Sequence, residues 1–141
     1  MSKLFSIAKI NLDHAAYDYQ RLSEDDCYLE TCCFCLQQAI EFMLKGIVEL
    51  NGEQYAENHD IRANLNILHR MEVSIPYEKE LRTIANTLYQ WETESRYKDS
   101  FIAAVADVEE AFVYARALKD YIEEKLHPVS VEEKPFPDKK L

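Results

Sequence analysis

The sequence predicts an all-α protein, an up-and-down antiparallel bundle of four long helices plus one short helix. Only 2 of the 141 residues are glycine. Sandwiches, barrels, Rossmann domains and phosphate-binding loops need glycine at tight turns, so this count disfavours them. Hydrophobic residues make up 48% of the chain, which is too many for a disordered protein. Apolar residues recur at three- and four-residue steps, the spacing typical of amphipathic helices in a single domain.

The first two helices are the clearest in the pattern. An apolar stripe predicts a first helix over about residues 3–22. A second stripe predicts the longest helix, over roughly residues 25–50. Ser23 with Asp26 resembles a capping box at its start, and Asn51 with Gly52 supplies the left-handed stop that a helix end prefers.

The third and fourth helices follow a polar loop. Asp60 is predicted to cap a short third helix, and Asn58 is an alternative cap. Pro76 has the fixed backbone that suits a first helical turn, so a fourth helix is predicted from there to about Arg96.

The fifth helix completes the bundle. Asp99 or Ser100 can cap it, and its apolar stripe begins at Ile102. Three of the four prolines lie beyond its end. We therefore predict a helical bundle over residues 1–127 and a flexible C-terminal tail over residues 128–141.

Charge and hydropathy restrict the partners and the location. The 16 basic and 26 acidic residues give a net charge of −10, which disfavours a DNA-binding protein that neutralises phosphates. The sequence contains neither a run of about 18 to 20 apolar residues nor a signal-like N-terminus. These features predict a cytoplasmic protein that binds no membrane.

Four cysteines lie close together, at Cys27, Cys32, Cys33 and Cys35. Structural zinc sites usually combine two distant pairs of ligands, and a second pair is missing here. Cys32 and Cys33 fall on the apolar stripe of the second helix, so we predict that they pack as small hydrophobic residues. The sequence indicates no metal site and no cofactor.

A row of polar side chains occupies the second helix at four-residue spacing. It consists of Gln37, Glu41 and Lys45, with Gln38 beside it. One interpretation is a solvated face, in which the Glu-to-Lys pair stabilises the helix by about 0.3 to 0.5 kcal/mol. The other is a polar face that supports a binding site.

His59 and Asp60 also allow two interpretations. An imidazole beside a carboxylate can act as a general base. Neighbouring residues in a chain rarely face each other, however, and the carboxylate of a capping Asp is already hydrogen-bonded, so capping is the favoured role.

Arg96 and Tyr97 close the predicted fourth helix. The cation suits the negative end of the helix dipole. Arg can also grip a phosphate with two hydrogen bonds, and Tyr can stack on a base, so this pair is the best nucleotide-facing candidate in the sequence.

These residues together resemble a known family. The segments CFCLQQAIEFMLKGIVELNG, NHDIRANLNIL and ESRY are similar to the HEPN domain (higher eukaryotes and prokaryotes nucleotide-binding). The resemblance covers about residues 4–125. It rests on ten positions that follow the family pattern, which are Gln37, Gln38, Ala39, Glu41, Lys45, Gly52, His59, Asp60, Arg96 and Tyr97.

The resemblance implies a helical bundle that is commonly a homodimer, often with a minimal nucleotidyltransferase as partner protein. Many members are metal-independent ribonucleases of toxin-antitoxin or defence systems. Their signature is an Arg followed four to six residues later by a His, which acts as acid or base. Here no His follows Arg96 at that spacing, so the resemblance is to a branch of the family without the ribonuclease signature, and no catalytic residue is assigned.

The leading hypothesis is therefore a non-enzymatic or weakly active module. It dimerises and binds a nucleotide, RNA or a nucleotidyltransferase partner through Lys45, His59, Arg96 and Tyr97. Gln37, Gln38, Glu41 and Asp60 form the supporting polar face. The first alternative is a ribonuclease using Arg96 with a base from elsewhere, such as His59. The second is a purely structural interaction subunit.

Overall fold

The computed structural model describes residues 3–95 and 101–127, and these residues form six α-helices and no strand. The all-α class predicted from the sequence is confirmed. The helices are α1 (Leu4–Tyr19), α2 (Cys27–Leu50), α3 (Arg62–Arg70), α4 (Glu78–Thr83), α5 (Ala85–Glu94) and α6 (Val105–Leu126).

Helix α2 lies at the centre of the bundle. It packs against α1 over the longest interface and also contacts α6, α5 and α3. The Cys32 thiol donates to the carbonyl of Ala15 (3.3 Å), and the Thr31 hydroxyl donates to the Asp18 carboxylate (2.7 Å). From the first pair to the second, the residue number rises along α1 and falls along α2, so the two helices are antiparallel.

The central position of α2 also explains its composition. By length and apolar content α2 could cross a membrane, but 72% of its most apolar window is buried inside the fold. A helix surrounded by other helices has an apolar residue on nearly every side. The high apolar content of α2 is therefore that of a core helix.

Helix α2 ends in the way that the sequence predicted, but it does not start in the predicted way. Gly52 has φ +85°, and the N–H of Glu53 donates to the carbonyl of Val48 (3.2 Å), which is the bond of a Schellman stop. At the start, the predicted capping box at Ser23 is wrong. The carboxylate of Asp25 accepts the N–H of Cys27 (2.8 Å) instead, because the helix begins later than the pattern indicates.

The predicted fourth long helix is broken into α4 and α5, which are separated at Ile84. It also begins two residues after Pro76, not at it. Tyr77 adopts a left-handed backbone with φ +59°, and its ring packs on that of Tyr114 at 4.8 Å. A residue in this conformation cannot be part of a right-handed helix, so α4 starts at Glu78.

The apolar stripe of the last helix starts later than predicted. Ile102 is 87% exposed, because residues 101–104 precede α6 and Ala104 is extended. The candidate caps Asp99 and Ser100, and the predicted tail over residues 128–141, lie outside the described residues.

Cys32 and Cys33 pack in the core, as predicted. Both are fully buried. Desolvation is the main cause of their high pKa values, since burial disfavours the thiolate. It raises the pKa of Cys32 to about 12 and that of Cys33 still further. Both thiols are therefore protonated at neutral pH.

Candidate functional site

The loop between α2 and α3 is fixed by side-chain amides. Asn64 of α3 is buried, and its amide accepts the N–H of Ala56 (2.8 Å) and donates to the carbonyl of the same residue (3.1 Å). Asn58 accepts the N–H of Asp60 (2.8 Å). The Asn64 bonds hold the loop to α3 at Ala56, the Asn58 bond forms a local turn, and His59 between them lies over α2.

Glu41 of α2 is the centre of a buried polar cluster. Its carboxylate is 1% exposed. One oxygen accepts a hydrogen bond from the Gln37 amide (2.7 Å), and the other forms an ion pair with the Lys45 ammonium (2.8 Å). All three residues are buried, so the interpretation of this row as a solvated face is wrong.

The Lys45 ammonium is enclosed. Its side chain is 9% exposed. Besides Glu41, it contacts the faces of Phe42 and Tyr55, whose ring centroids lie 5.5 and 5.6 Å from Nζ. Aromatic faces attract cations, so the charge is balanced by one carboxylate and two rings.

His59 is the open end of the cluster. Its Nδ1 lies 3.2 and 3.3 Å from the two carboxylate oxygens of Glu41, and 3.8 Å from the Glu92 carboxylate on α5. The imidazole is 58% exposed. Because Nδ1 faces the two carboxylates, Nε2 on the other side of the ring is directed away from them. We call Gln37, Glu41, Lys45, His59 and Glu92 the Glu41 cluster.

His59 and Asp60 have separate partners, although they are adjacent. The Asp60 carboxylate accepts the backbone N–H of Arg62 (3.0 Å) and pairs with its guanidinium (2.7 Å). Asp60 therefore bonds the first N–H of α3, as a capping carboxylate does, but the residue directly before α3 is Ile61, so the predicted cap position is off by one residue. The hydrogen bonds from Arg62 lower the pKa of Asp60.

The structure thus brings together four of the eight residues predicted for the site. These are Gln37, Glu41, Lys45 and His59. Gln38 is partly buried beside them, and Asp60 faces Arg62. Arg96 and Tyr97 lie outside the described residues. Within the described part of the chain, no group of three or more His, Cys, Asp or Glu side chains could hold a metal ion.

The family comparison agrees with this architecture. The family model for the HEPN domain matches residues 1–125. The chain belongs to the HEPN domain family. No curated protein and no solved structure matches it. The HEPN domain is a nucleotide-binding helical module, so the Glu41 cluster belongs to a fold of that type.

Three residues of this HEPN domain's site were not predicted from the sequence. Glu92 faces His59 from α5 and lies within the span predicted for the fourth helix, so only its helical setting was predictable. The contacts of Tyr55 and Asn64 had no signal in the sequence, because they depend on the path of the loop.

The Glu41 cluster can hold the His59 imidazole in one orientation at the protein surface. A carboxylate that accepts a hydrogen bond from Nδ1 fixes the ring and leaves Nε2 for a ligand. When the ring is protonated, Nε2 donates to an anion; when it is neutral, Nε2 accepts from a hydroxyl. The HEPN domain therefore presents a group suited to a phosphate or a ribose.

Proposed function

We propose that this HEPN domain is a binding module that contacts the phosphate of a nucleotide or an RNA end through His59. The observation that carries the proposal is the pairing of an exposed imidazole with a buried carboxylate, at 3.2 Å between His59 and Glu41. A ring fixed before binding loses less conformational entropy when a ligand arrives.

The net charge of the protein favours ligand binding through a few hydrogen bonds over binding driven by long-range electrostatic attraction. The net charge of −10 repels a polyanion at long range. The Lys45 ammonium is paired inside the cluster. Affinity would then come from hydrogen bonds at His59, with Arg96 as a phosphate clamp and Tyr97 as a stacking platform, the roles predicted for them from the sequence.

The wider proposal follows the family resemblance. We infer a cytoplasmic homodimer with a minimal nucleotidyltransferase as partner protein, acting in a toxin-antitoxin or defence system. Sedimentation at tens of micromolar tests the dimer, and a monomer at that concentration would rule it out.

The binding test uses two histidines that both face a glutamate. Fluorescence anisotropy with a 5′-phosphorylated RNA oligonucleotide, and calorimetry with ATP, are applied to wild type, His59→Ala and the control His69→Ala. The Nδ1 of His69 lies 3.5 Å from Glu78 in a more exposed setting. We expect His59→Ala to weaken binding by about tenfold, as the loss of one charge-assisted hydrogen bond does, and His69→Ala to change it less than about twofold. Equal effects, or no binding by wild type, would refute the proposal.

A second candidate is a metal-independent ribonuclease. The Glu41 carboxylate behind His59 Nδ1 is the arrangement of a general base and the group that orients it. Arg96 would then stabilise charge on the phosphate. RNA cleavage that persists in EDTA and is lost in both His59→Ala and Arg96→Ala would favour this candidate over the binding module.

A further inference from the structure

Lys45 occupies the closed end of the Glu41 cluster, and His59 occupies the open end. We propose that Lys45 is a positioning residue, which acts on a bound ligand through Glu41 and His59 and does not contact it. This inference rests on the proposed function and assigns Lys45 a different part in it from that of a ligand-binding cation.

The contacts form a chain from Lys45 to the surface. The ammonium bonds one oxygen of Glu41 at 2.8 Å, and the same carboxylate lies 3.2 Å from His59 Nδ1. A carboxylate that is 1% exposed needs a paired cation to stay ionised. The ionised carboxylate accepts a hydrogen bond from Nδ1 in the neutral and in the protonated ring, so Nε2 is left for the ligand and, when the ring is protonated, donates to its phosphate.

Direct contact between Lys45 and a phosphate is disfavoured by its surroundings. The ammonium is enclosed by Glu41 and by the rings of Phe42 and Tyr55. A phosphate that reached it would lie beside the Glu41 carboxylate, and two like charges at such a distance repel strongly. The exposed imidazole of His59 provides an approach that avoids this carboxylate.

The two roles of Lys45 differ in two measurable ways. A lysine that contacts a phosphate releases counterions, so its removal reduces the salt slope of RNA binding by about 0.7. A positioning lysine changes that slope no more than His59→Ala does. Its removal instead alters the state of the His59 ring before any ligand is present, and this is visible in the ¹⁵N chemical shifts of Nδ1 and Nε2.

The experiment compares Lys45→Met with Lys45→Arg and with Arg82→Met. Arg82→Met is the matched control, because Arg82 pairs with Glu78 beside His69 as Lys45 pairs with Glu41 beside His59. In the free protein, we expect Lys45→Met to shift the His59 ring ¹⁵N resonances away from the Nδ1–H tautomer. We expect Lys45→Arg to restore them at least in part and Arg82→Met to leave them unchanged.

Binding of the 5′-phosphorylated RNA oligonucleotide is measured on the same proteins at several salt concentrations. We expect Lys45→Met to weaken binding by about tenfold with the salt slope of His59→Ala, and Glu41→Gln to do the same. The double variant Glu41→Gln with Lys45→Met should lose no more than either single variant, since both act through His59. This double variant is also the second protein to use if Lys45→Met does not fold, because it leaves no unpaired buried charge.

The proposal is overturned if Lys45→Met weakens binding, lowers the salt slope beyond that of His59→Ala and leaves the His59 resonances as in wild type. Additive losses in the double variant would overturn it as well. If wild type binds no RNA, the proposed function fails, but the ring resonances of the free protein still test whether Lys45 controls His59.

Discussion

Two regions of this HEPN domain combine the same three kinds of side chain in different surroundings. Each has a carboxylate, a cation four residues later on the same helix, and a histidine from another segment of the chain. In the Glu41 cluster the distances from carboxylate to cation and to imidazole are 2.8 and 3.2 Å. In the second region, which we call the Glu78 triad, they are 3.1 and 3.5 Å. The triad consists of Glu78, Arg82 and His69.

The two regions differ in burial. The carboxylates are 1% and 26% exposed, and the cations 9% and 33%. Water screens the Glu78 triad and can replace any partner that is lost. In the Glu41 cluster each group depends on its neighbours, because the other helices exclude water from all but the imidazole. The same groups therefore form a surface ion pair in one place and a fixed site in the other.

The largest expected difference is the effect of removing the carboxylate charge. Glu41→Gln leaves Lys45 without its counter-ion in a buried position, and we expect it to lower the free energy of unfolding by about 3–5 kcal/mol. Glu78→Gln should lower it by less than about 1 kcal/mol, as is usual for an exposed pair. Urea denaturation of both variants measures the difference.

A neutral double variant separates charge from packing in the Glu41 cluster. Glu41→Leu with Lys45→Met removes both charges and retains similar volume, so most of the lost stability should return. If this variant is as unstable as Glu41→Gln, the unpaired charge is not the cause.

The sequence predicted the helical bundle, but it did not predict this difference in burial. Spacing alone gives Glu41–Lys45 and Glu78–Arg82 the same appearance, since both are pairs four residues apart. Burial is decided by what covers the helix. His59 and Tyr55 of the loop lie against the polar row of α2, and Glu92 of α5 faces His59. Such contacts join residues far apart in the sequence, so the spacing within one helix does not predict them.

The helix boundaries show a related limit. The stop at Gly52 was predictable because a left-handed residue there serves the backbone of its own helix. The late start of α4 was not, because the left-handed backbone of Tyr77 accompanies a contact with Tyr114, far away in the sequence. The helix stop at Gly52, which depends on local chemistry, was predicted correctly, the capping box at Ser23 was not, and the late start of α4, which depends on tertiary packing, was missed.

The next largest effect concerns the amide that holds the loop in place. Asn64→Ala removes two hydrogen bonds to Ala56 in a buried position and should lower the free energy of unfolding by about 1–3 kcal/mol. It should also broaden the His59 resonances, because the loop that carries His59 is released. The matched control is Asn86→Ala, which removes an exposed bond to Arg62 and should cost less than about 0.5 kcal/mol. A sharp His59 signal in Asn64→Ala would contradict this role.

The cysteines also differ in burial, and the effect that this difference should have on stability depends on pH. An ordinary thiol ionises near pH 9, but desolvation raises the pKa of Cys32 to about 12. Above pH 9 the folded protein therefore binds more protons than the unfolded chain, and its stability falls as the pH rises from 9 towards 12. The slope is about 1.4 kcal/mol per pH unit for each such thiol.

Urea denaturation between pH 8 and pH 11 measures this alkaline loss. Cys33→Ala should make the loss shallower, because the pKa of Cys33 is also raised by burial. Cys27 is exposed, and Cys27→Ser should change the alkaline slope less than Cys33→Ala does. Equal slopes in wild type and Cys33→Ala would show that the core thiols do not determine it.

The smallest expected effect is at Asp60, the neighbour of His59 that pairs with Arg62. Its hydrogen bonds with Arg62 lower its pKa below 3.8, so the pair stabilises the fold above that pH, and this contribution is lost as the pH falls through the lowered value. Asp60→Asn should cost less than about 1 kcal/mol at pH 7 and flatten the acid limb of the stability curve. Arg62→Met should have the same two effects on stability. The double variant Asp60→Asn with Arg62→Met should be no less stable than either single variant. If Asp60→Asn instead destabilises the protein as much as Glu41→Gln, then burial is not what distinguishes the Asp60–Arg62 pair from the Glu41 cluster.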